Sequence, residues 1–284
     1  MNLRRVLLAS LLLAAFAGAA PARQKALESR DGDVFKGPIK SVSIERADYS
    51  RVKGVLVEGP RRRTSFVSYA PDGKSREDVD YAPDGSVQDR FTHVYDDSGN
   101  ELEMSWFDAK DDLKTRRVYI PQAGETLTYN GDGSLRDRRV AVRGNDGRLI
   151  ESRLYDAAGA LKERRANELV GGLPVWNTYR ADGALKQRDT YTRDHDGRHR
   201  TVMQTYGADG SVVRRRVLEI DPADTEMRDT VEKGTAAGEL PKTRSTREFD
   251  SRKNLSKIIR FVWNEATSEY EPSSVTYYTI IYYR

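Results

Sequence analysis

The chain has 284 residues, with 48 Lys and Arg against 44 Asp and Glu, 32% charged residues and no cysteine. The near balance of signs excludes a strong electrostatic pull toward nucleic acid. The missing cysteines exclude disulfides, thiolate metal sites, cysteine nucleophiles and lipid attachment at cysteine.

Met1 to Ala22 reads as a secretory signal peptide. Arg4 and Arg5 precede a run of about fifteen small and apolar residues, and Ala17-Gly18-Ala19 and Ala20-Pro21-Ala22 offer small-residue cut sites. The run is shorter than the roughly twenty residues of a membrane-spanning helix. Cleavage removes two arginines and no acid, so the formal charge falls from +4 to +2. A periplasmic or secreted location is expected, without membrane insertion after cleavage.

Residues 23–36 form a polar leader, and residues 37–284 are expected to form one β-repeat domain. Ile39 to Pro60 gives a first, less typical strand pair. A repeat follows: Tyr69-Ala-Pro-Asp-Gly73, Tyr81-Ala-Pro-Asp-Gly85, Tyr95-Asp-Asp-Ser-Gly99, Phe107-Asp-Ala-Lys-Asp111 and Tyr129-Asn-Gly-Asp-Gly133. Tyr155-Asp-Ala-Ala-Gly159, Tyr179-Arg-Ala-Asp-Gly183 and Tyr206-Gly-Ala-Asp-Gly210 continue it, with weaker copies at Arg143–Gly147 and Arg193–Gly197. Every second turn is more alike. Gly85, Asp111, Gly133, Gly159, Gly183 and Gly210 stand 26, 22, 26, 24 and 27 residues apart, so the unit is a two-strand hairpin of about 25 residues.

Turn chemistry explains the motif. Proline presets the first central position of a type I turn, and glycine takes the left-handed position of the adjoining bulge. The aromatic then faces an apolar residue six positions on, as in Tyr81/Val87, Tyr129/Leu135, Tyr155/Leu161, Tyr179/Leu185 and Tyr206/Val212. These tyrosines, with Tyr95, are expected to be structural rivets, each contributing about 0.2–1 kcal/mol across the strands. Between turns the strands are polar, as in Glu151 and Arg153, which predicts ion-pair ladders. Asp221 to Arg244 carries Pro222, Gly234, Gly238 and Pro241 among charges and reads as a long loop, 221–245. Phe249-Asp-Ser-Arg-Lys-Asn254 resumes the motif, and Ser274 to Tyr283 is the expected closing strand.

Twelve turns between Gly73 and Gly210 predict thirteen strands there. So many strands should curl. The expected fold is all-β: an antiparallel meander of hairpin repeats, as a curled open sheet or wide incomplete barrel. A two-layer β-sandwich is the alternative.

Tyr95-Asp-Asp-Ser-Gly-Asn100, Tyr155-Asp-Ala-Ala-Gly159 and Phe249-Asp-Ser-Arg-Lys-Asn254 resemble the tyrosine–aspartate repeat of the YD-repeat, or Rhs-like, family. The resemblance runs from about Tyr69 to Leu255 outside the linker. It implies an extracellular or envelope-associated β-structure, a shell around a toxin in some members and a binding surface in others. This chain is too short for a closed shell and carries no recognisable toxin domain.

No catalytic, cofactor or metal site is expected. His195 and His199 flank a turn rather than share a helix face. Asp194-His-Asp196-Gly197 and Asn130-Gly-Asp132-Gly133 lack the bidentate acid of a calcium loop. Arg61–Arg63 and Arg214–Arg216 form no continuous basic stripe, and charges on both faces of nearly every strand argue against a membrane barrel. The expected function is a non-enzymatic exported YD-repeat module binding a polysaccharide or protein partner. The alternatives are a carbohydrate-active enzyme with its site on a sheet face and a purely structural envelope component.

Overall fold

The computed structural model of the chain describes residues 27–28, 34–193, 197, 199–221, 226–232 and 243–284. The signal segment, most of the polar leader and His195 lie outside them. Two short strands, β1 (Leu27–Glu28) and β2 (Val34–Phe35), come first. The long β3 (Ile39–Val52) returns in the short β4 (Val55–Glu58). Then follow β5 (Arg62–Tyr69), β6 (Ser75–Tyr81), β7 (Val87–Tyr95), β8 (Glu101–Asp108), β9 (Leu113–Ile120), β10 (Glu125–Asn130), β11 (Leu135–Arg143) and β12 (Leu149–Asp156). β13 (Leu161–Val170), β14 (Leu173–Arg180), β15 (Leu185–Arg193), β16 (His199–Tyr206) and β17 (Val212–Ile220) complete the repeats. β18 (Glu226–Glu232), β19 (Thr243–Phe249), β20 (Leu255–Asn264) and β21 (Glu269–Tyr282) close the order. β5 to β17 are the thirteen strands expected from the turns.

The turns form by the expected chemistry. The Ala82 N–H donates to the Ser86 carbonyl and the Gly85 N–H to the Ala82 carbonyl, both at 2.9 Å. Asp84 Oδ1 accepts from the Ser86 N–H at 3.0 Å and the Ser86 hydroxyl at 2.6 Å, and these bonds hold the Asp84 carboxyl below its usual range. Asp132 with Ser134 and Asp209 with Ser211 repeat the arrangement. The expected cross-turn partners pair: Tyr81 with Val87, Tyr129 with Leu135, Tyr155 with Leu161, Tyr179 with Leu185 and Tyr206 with Val212.

A less visible glycine constrains the same turn as Gly133. A Cβ on Gly131 would stand 2.0 Å from the carbonyl oxygen of Leu113, the first residue of β9, whereas one on Gly133 would meet nothing within 4 Å. Gly133 has φ +84°, so alanine there strains the backbone alone, by about 1–2 kcal/mol. Gly131→Ala forces this turn away from the start of β9 and is expected to cost about 3 kcal/mol or more. Urea unfolding of the two variants checks the order; equal losses would refute the close approach.

Two expectations are corrected. The sheet is not open: β3 and β5 to β21 pair in chain order, and β21 pairs with β3 from Ser274↔Asp48 to Tyr282↔Ile39, closing an eighteen-strand antiparallel barrel. Accumulated twist brings the ends of so long a meander together, and pairing them removes both exposed edges. The sandwich fails too, because these strands form one continuous ring and not two separate sheets. The expected loop at 221–245 contains β18, which pairs with β17 and β19.

At the seam, Phe35, Ile39, Val42, Val67, Tyr69, Leu255 and Tyr278 form the buried apolar cluster. The wall itself is one sheet thick. Eighteen strands spaced about 4.8 Å and tilted about 40° would give a circular section roughly 35 Å across, wide enough for an aqueous channel.

Candidate functional site in the barrel lumen

Register assigns every strand an inner and an outer face. Tyr278, Ile44, Ser65 and Asp80 are successive cross-strand partners lining one concave recess, which fixes the inner side. From there the inward rows continue through Asp89, Phe91 and His93 on β7 and Met104, Trp106 and Asp108 on β8. Further round stand Arg165 on β13, Trp176 on β14, Asp189 on β15 and Arg216 facing Asp229 on β17 and β18. The lumen wall thus carries many charged, hydroxyl and aromatic side chains, with aliphatic ones such as Ile44 and Ile258 in the recess and Val42 and Val67 at the seam.

Its densest polar cluster lies on β6 to β9. Arg76 and Asp78, two residues apart and therefore on one face, form a buried ion pair, with Nε to Oδ1 at 2.6 Å and a second bond from Nη2 to Oδ2. His93 joins two carboxylates, its Nδ1 2.5 Å from Glu101 and its Nε2 3.7 Å from Asp78. Tyr95 stacks on His93 with centroids 6.3 Å apart. Burial opposes ionisation of Glu101, but His93, Tyr119 and Arg117 prevail and hold its carboxyl below the usual range. Burial pushes the Tyr69 and Tyr95 hydroxyls up to about 12. Asp78 holds the Arg76 guanidinium charged against the opposing effect of burial. Beside this cluster Phe91 stacks on Trp106 at 6.3 Å, and Trp106 Nε1 donates to Asp89 at 2.7 Å.

The repeat positions divide between the two faces. Tyr81, Tyr129, Tyr155, Tyr179 and Tyr206 follow inward residues directly and point outward near one rim, at the turns of Gly85, Gly133, Gly159, Gly183 and Gly210. Tyr95, near Gly99 at the opposite rim, points inward. The outer wall carries the ion-pair ladder expected between the turns: Glu77–Arg90, Glu103–Arg116, Glu125–Arg138 and Glu151–Arg164, at 3.4, 2.7, 3.2 and 3.1 Å. The arginines continue onto the aromatic rim, with Arg90 4.0 Å from the Phe107 ring, Arg138 5.1 Å from Tyr155 and Arg164 4.5 Å from Tyr179. Each arginine follows its glutamate by thirteen residues, a spacing present in the sequence. His199 is exposed at a strand end, while Asp194, His195 and Asp196 lie outside the described residues.

No family model matches the chain, and no curated protein matches it. Among solved structures it is similar to a porin-like protein from Bacteroides uniformis ATCC 8492. The identity is 9%, the match covers 86% of this chain and 96% of that one, and the TM-score is 0.43.

Ring closure overturns the expected exported YD-repeat binding or scaffold module. That reading rested on a repeat sheet presenting an extended open surface, whereas the strands close into a ring. The recess on the inner wall holds a single carboxylate, Asp80, and not the carboxylate pair of the carbohydrate-active alternative.

Proposed function

We propose that the chain is a pore-type barrel of the cell envelope: a closed, non-enzymatic tube whose polar lumen handles small hydrophilic solutes. The observation that carries this reading is eighteen-strand closure around a wall whose inward rows, away from the apolar seam, are rich in charged and hydroxyl side chains. The export-like first 22 residues support an envelope location. The tyrosine–aspartate turns support kinship with YD-repeat hairpins at the level of the unit.

The outer wall indicates what surrounds the tube. Glu77, Arg90, Glu103, Arg116, Glu125, Arg138, Glu151 and Arg164 stand on it, and a lysine or arginine facing the lipid midplane costs about 2–4 kcal/mol. Four such arginines outweigh what the intervening Val79, Val118, Leu127 and Val140 return, so the barrel is read as standing in water. The second reading, a lipid-inserted porin-type barrel, is favoured by the outward aromatic row near one rim, which resembles an interfacial girdle.

Because the chain has no cysteine, single cysteines report exposure without background. Ser65→Cys places a thiol in the lumen and Thr190→Cys one on the outer wall. Both are expected to react with a charged maleimide in fractionated cells. Protection of Thr190→Cys alone would establish lipid insertion. An unreactive Ser65→Cys on a folded barrel would overturn the lumen as the working surface.

A further inference from the structure

One recess in the lumen wall, between β20, β21, β3, β5 and β6, encloses about 350 Å³. Ligand sites span about 300–1,000 Å³, so it suits a small solute. Adjacent inward rows build it: Arg260 faces Ser274, Thr276 faces Ile258 and Arg46, and Ser65 faces Ile44 and Asp80. The two arginines are not equivalent. Arg46 is tied to Asp48, with Nε 3.0 Å from Oδ1. The exposed Arg260 guanidinium has no side-chain hydrogen bond or ion pair among the described residues.

We propose that this recess binds a small hydroxylated monocarboxylate. Its carboxylate meets the planar fork of Arg260, which matches two carboxylate oxygens at once. Its hydroxyls meet Ser65, Ser274 and Thr276, which both donate and accept. Ile44 and Ile258 supply an apolar backing for its C–H face. With Arg46 held by Asp48, the recess offers a solute the single Arg260 guanidinium beside one carboxylate, Asp80, which suits a monoanion and opposes a dianion such as phosphate. The assignment rests on the lumen as the working surface and names the solute class.

Calorimetric titration of the full chain tests it with D-gluconate, D-sorbitol, acetate and inorganic phosphate. Gluconate is expected to bind at least tenfold more tightly than the other three. Sorbitol lacks the carboxylate, acetate lacks the hydroxyls, and a charged hydrogen bond is worth about 1.5–3 kcal/mol, a tenfold effect or more. Arg260→Gln should weaken gluconate at least tenfold, and Thr276→Val should weaken it less. Arg188→Gln, on the outer wall, should leave it unchanged. Absence of gluconate binding at millimolar concentration, equal binding by Arg260→Gln, or tighter binding of sorbitol or phosphate would overturn the assignment. Maleimide labelling of Ser65→Cys reads the lumen independently, so loss of this solute class leaves the tube standing and loss of the tube is seen on its own.

Discussion

Asp78→Leu is expected to lower stability by about 3–5 kcal/mol, because it removes the carboxylate that pairs with the buried Arg76 charge. The side chains of the pair are 9% and 8% exposed, so solvent cannot replace what the carboxylate supplied. The Arg76 guanidinium stands 5.9 Å from the Tyr69 ring, a contact too weak to compensate. His93 Nε2 also loses the carboxylate 3.7 Å away. At roughly 2–4 °C per kcal/mol for a domain of this size, the midpoint of thermal unfolding should fall by about 6–20 °C. Arg76→Met combined with Asp78→Leu removes both charges together. It should recover most of the loss, since apolar replacement of a buried ion pair is often neutral or better. The comparison separates a buried pair from a solvated one. If Asp78→Leu melts with the parent chain, or the double variant melts as low as the single, water reaches the pair.

Much of the fold was legible because its determinants are local. The Asp-Gly-Ser sequences at Asp84, Asp132 and Asp209 specify both turn geometry and the carboxylate bonds that fix it, and the strand count from β5 to β17 follows from them. Lys253, with φ 62°, occupies the left-handed position that glycine holds elsewhere, so the turn after Phe249 forms despite its altered composition. Closure was not legible, since it depends on β3 and β21 meeting across more than 200 residues. β18 was concealed by its composition: Glu226–Glu232 is almost wholly polar, and neighbours on both sides rather than propensity make it a strand. The lumen cluster was hidden for a related reason. In the sequence Arg76 and Asp78 are charges in one more polar strand, and only the inner face of the ring distinguishes them from Glu77 and Arg90 on the outer one. The thirteen-residue offset from glutamate to arginine lay open in the sequence, and a search for diagonal charge pairs at the repeat period finds it.

The seam where first and last strands meet makes the second large effect. Asn254 is fully buried, and its side chain is the fastening. Its Oδ1 accepts from the Lys36 N–H at 2.5 Å, and its Nδ2 donates to the Lys36 carbonyl at 3.0 Å and to the Tyr282 hydroxyl at 2.6 Å. One amide thereby joins the turn between β19 and β20 to the segment entering β3 and to the end of β21. Asn254→Ala removes three part-buried hydrogen bonds, two of them to the Lys36 backbone, at about 1 kcal/mol each. A total loss of about 3 kcal/mol is expected, and a fall in melting midpoint of about 6–12 °C. Asn254→Asp retains the acceptor for the Lys36 N–H but sets a carboxylate against the Lys36 carbonyl, so it should recover little. The loss should also have a place. Hydrogen exchange should rise first at the β3–β21 ladder, at Val42, Ile44 and Tyr278, while β10 to β14 stay protected, because those strands are held by neighbours on both sides that the mutation does not touch. Uniform exchange around the ring would mean that the barrel opens everywhere at once and that Asn254 has no special hold on its closure.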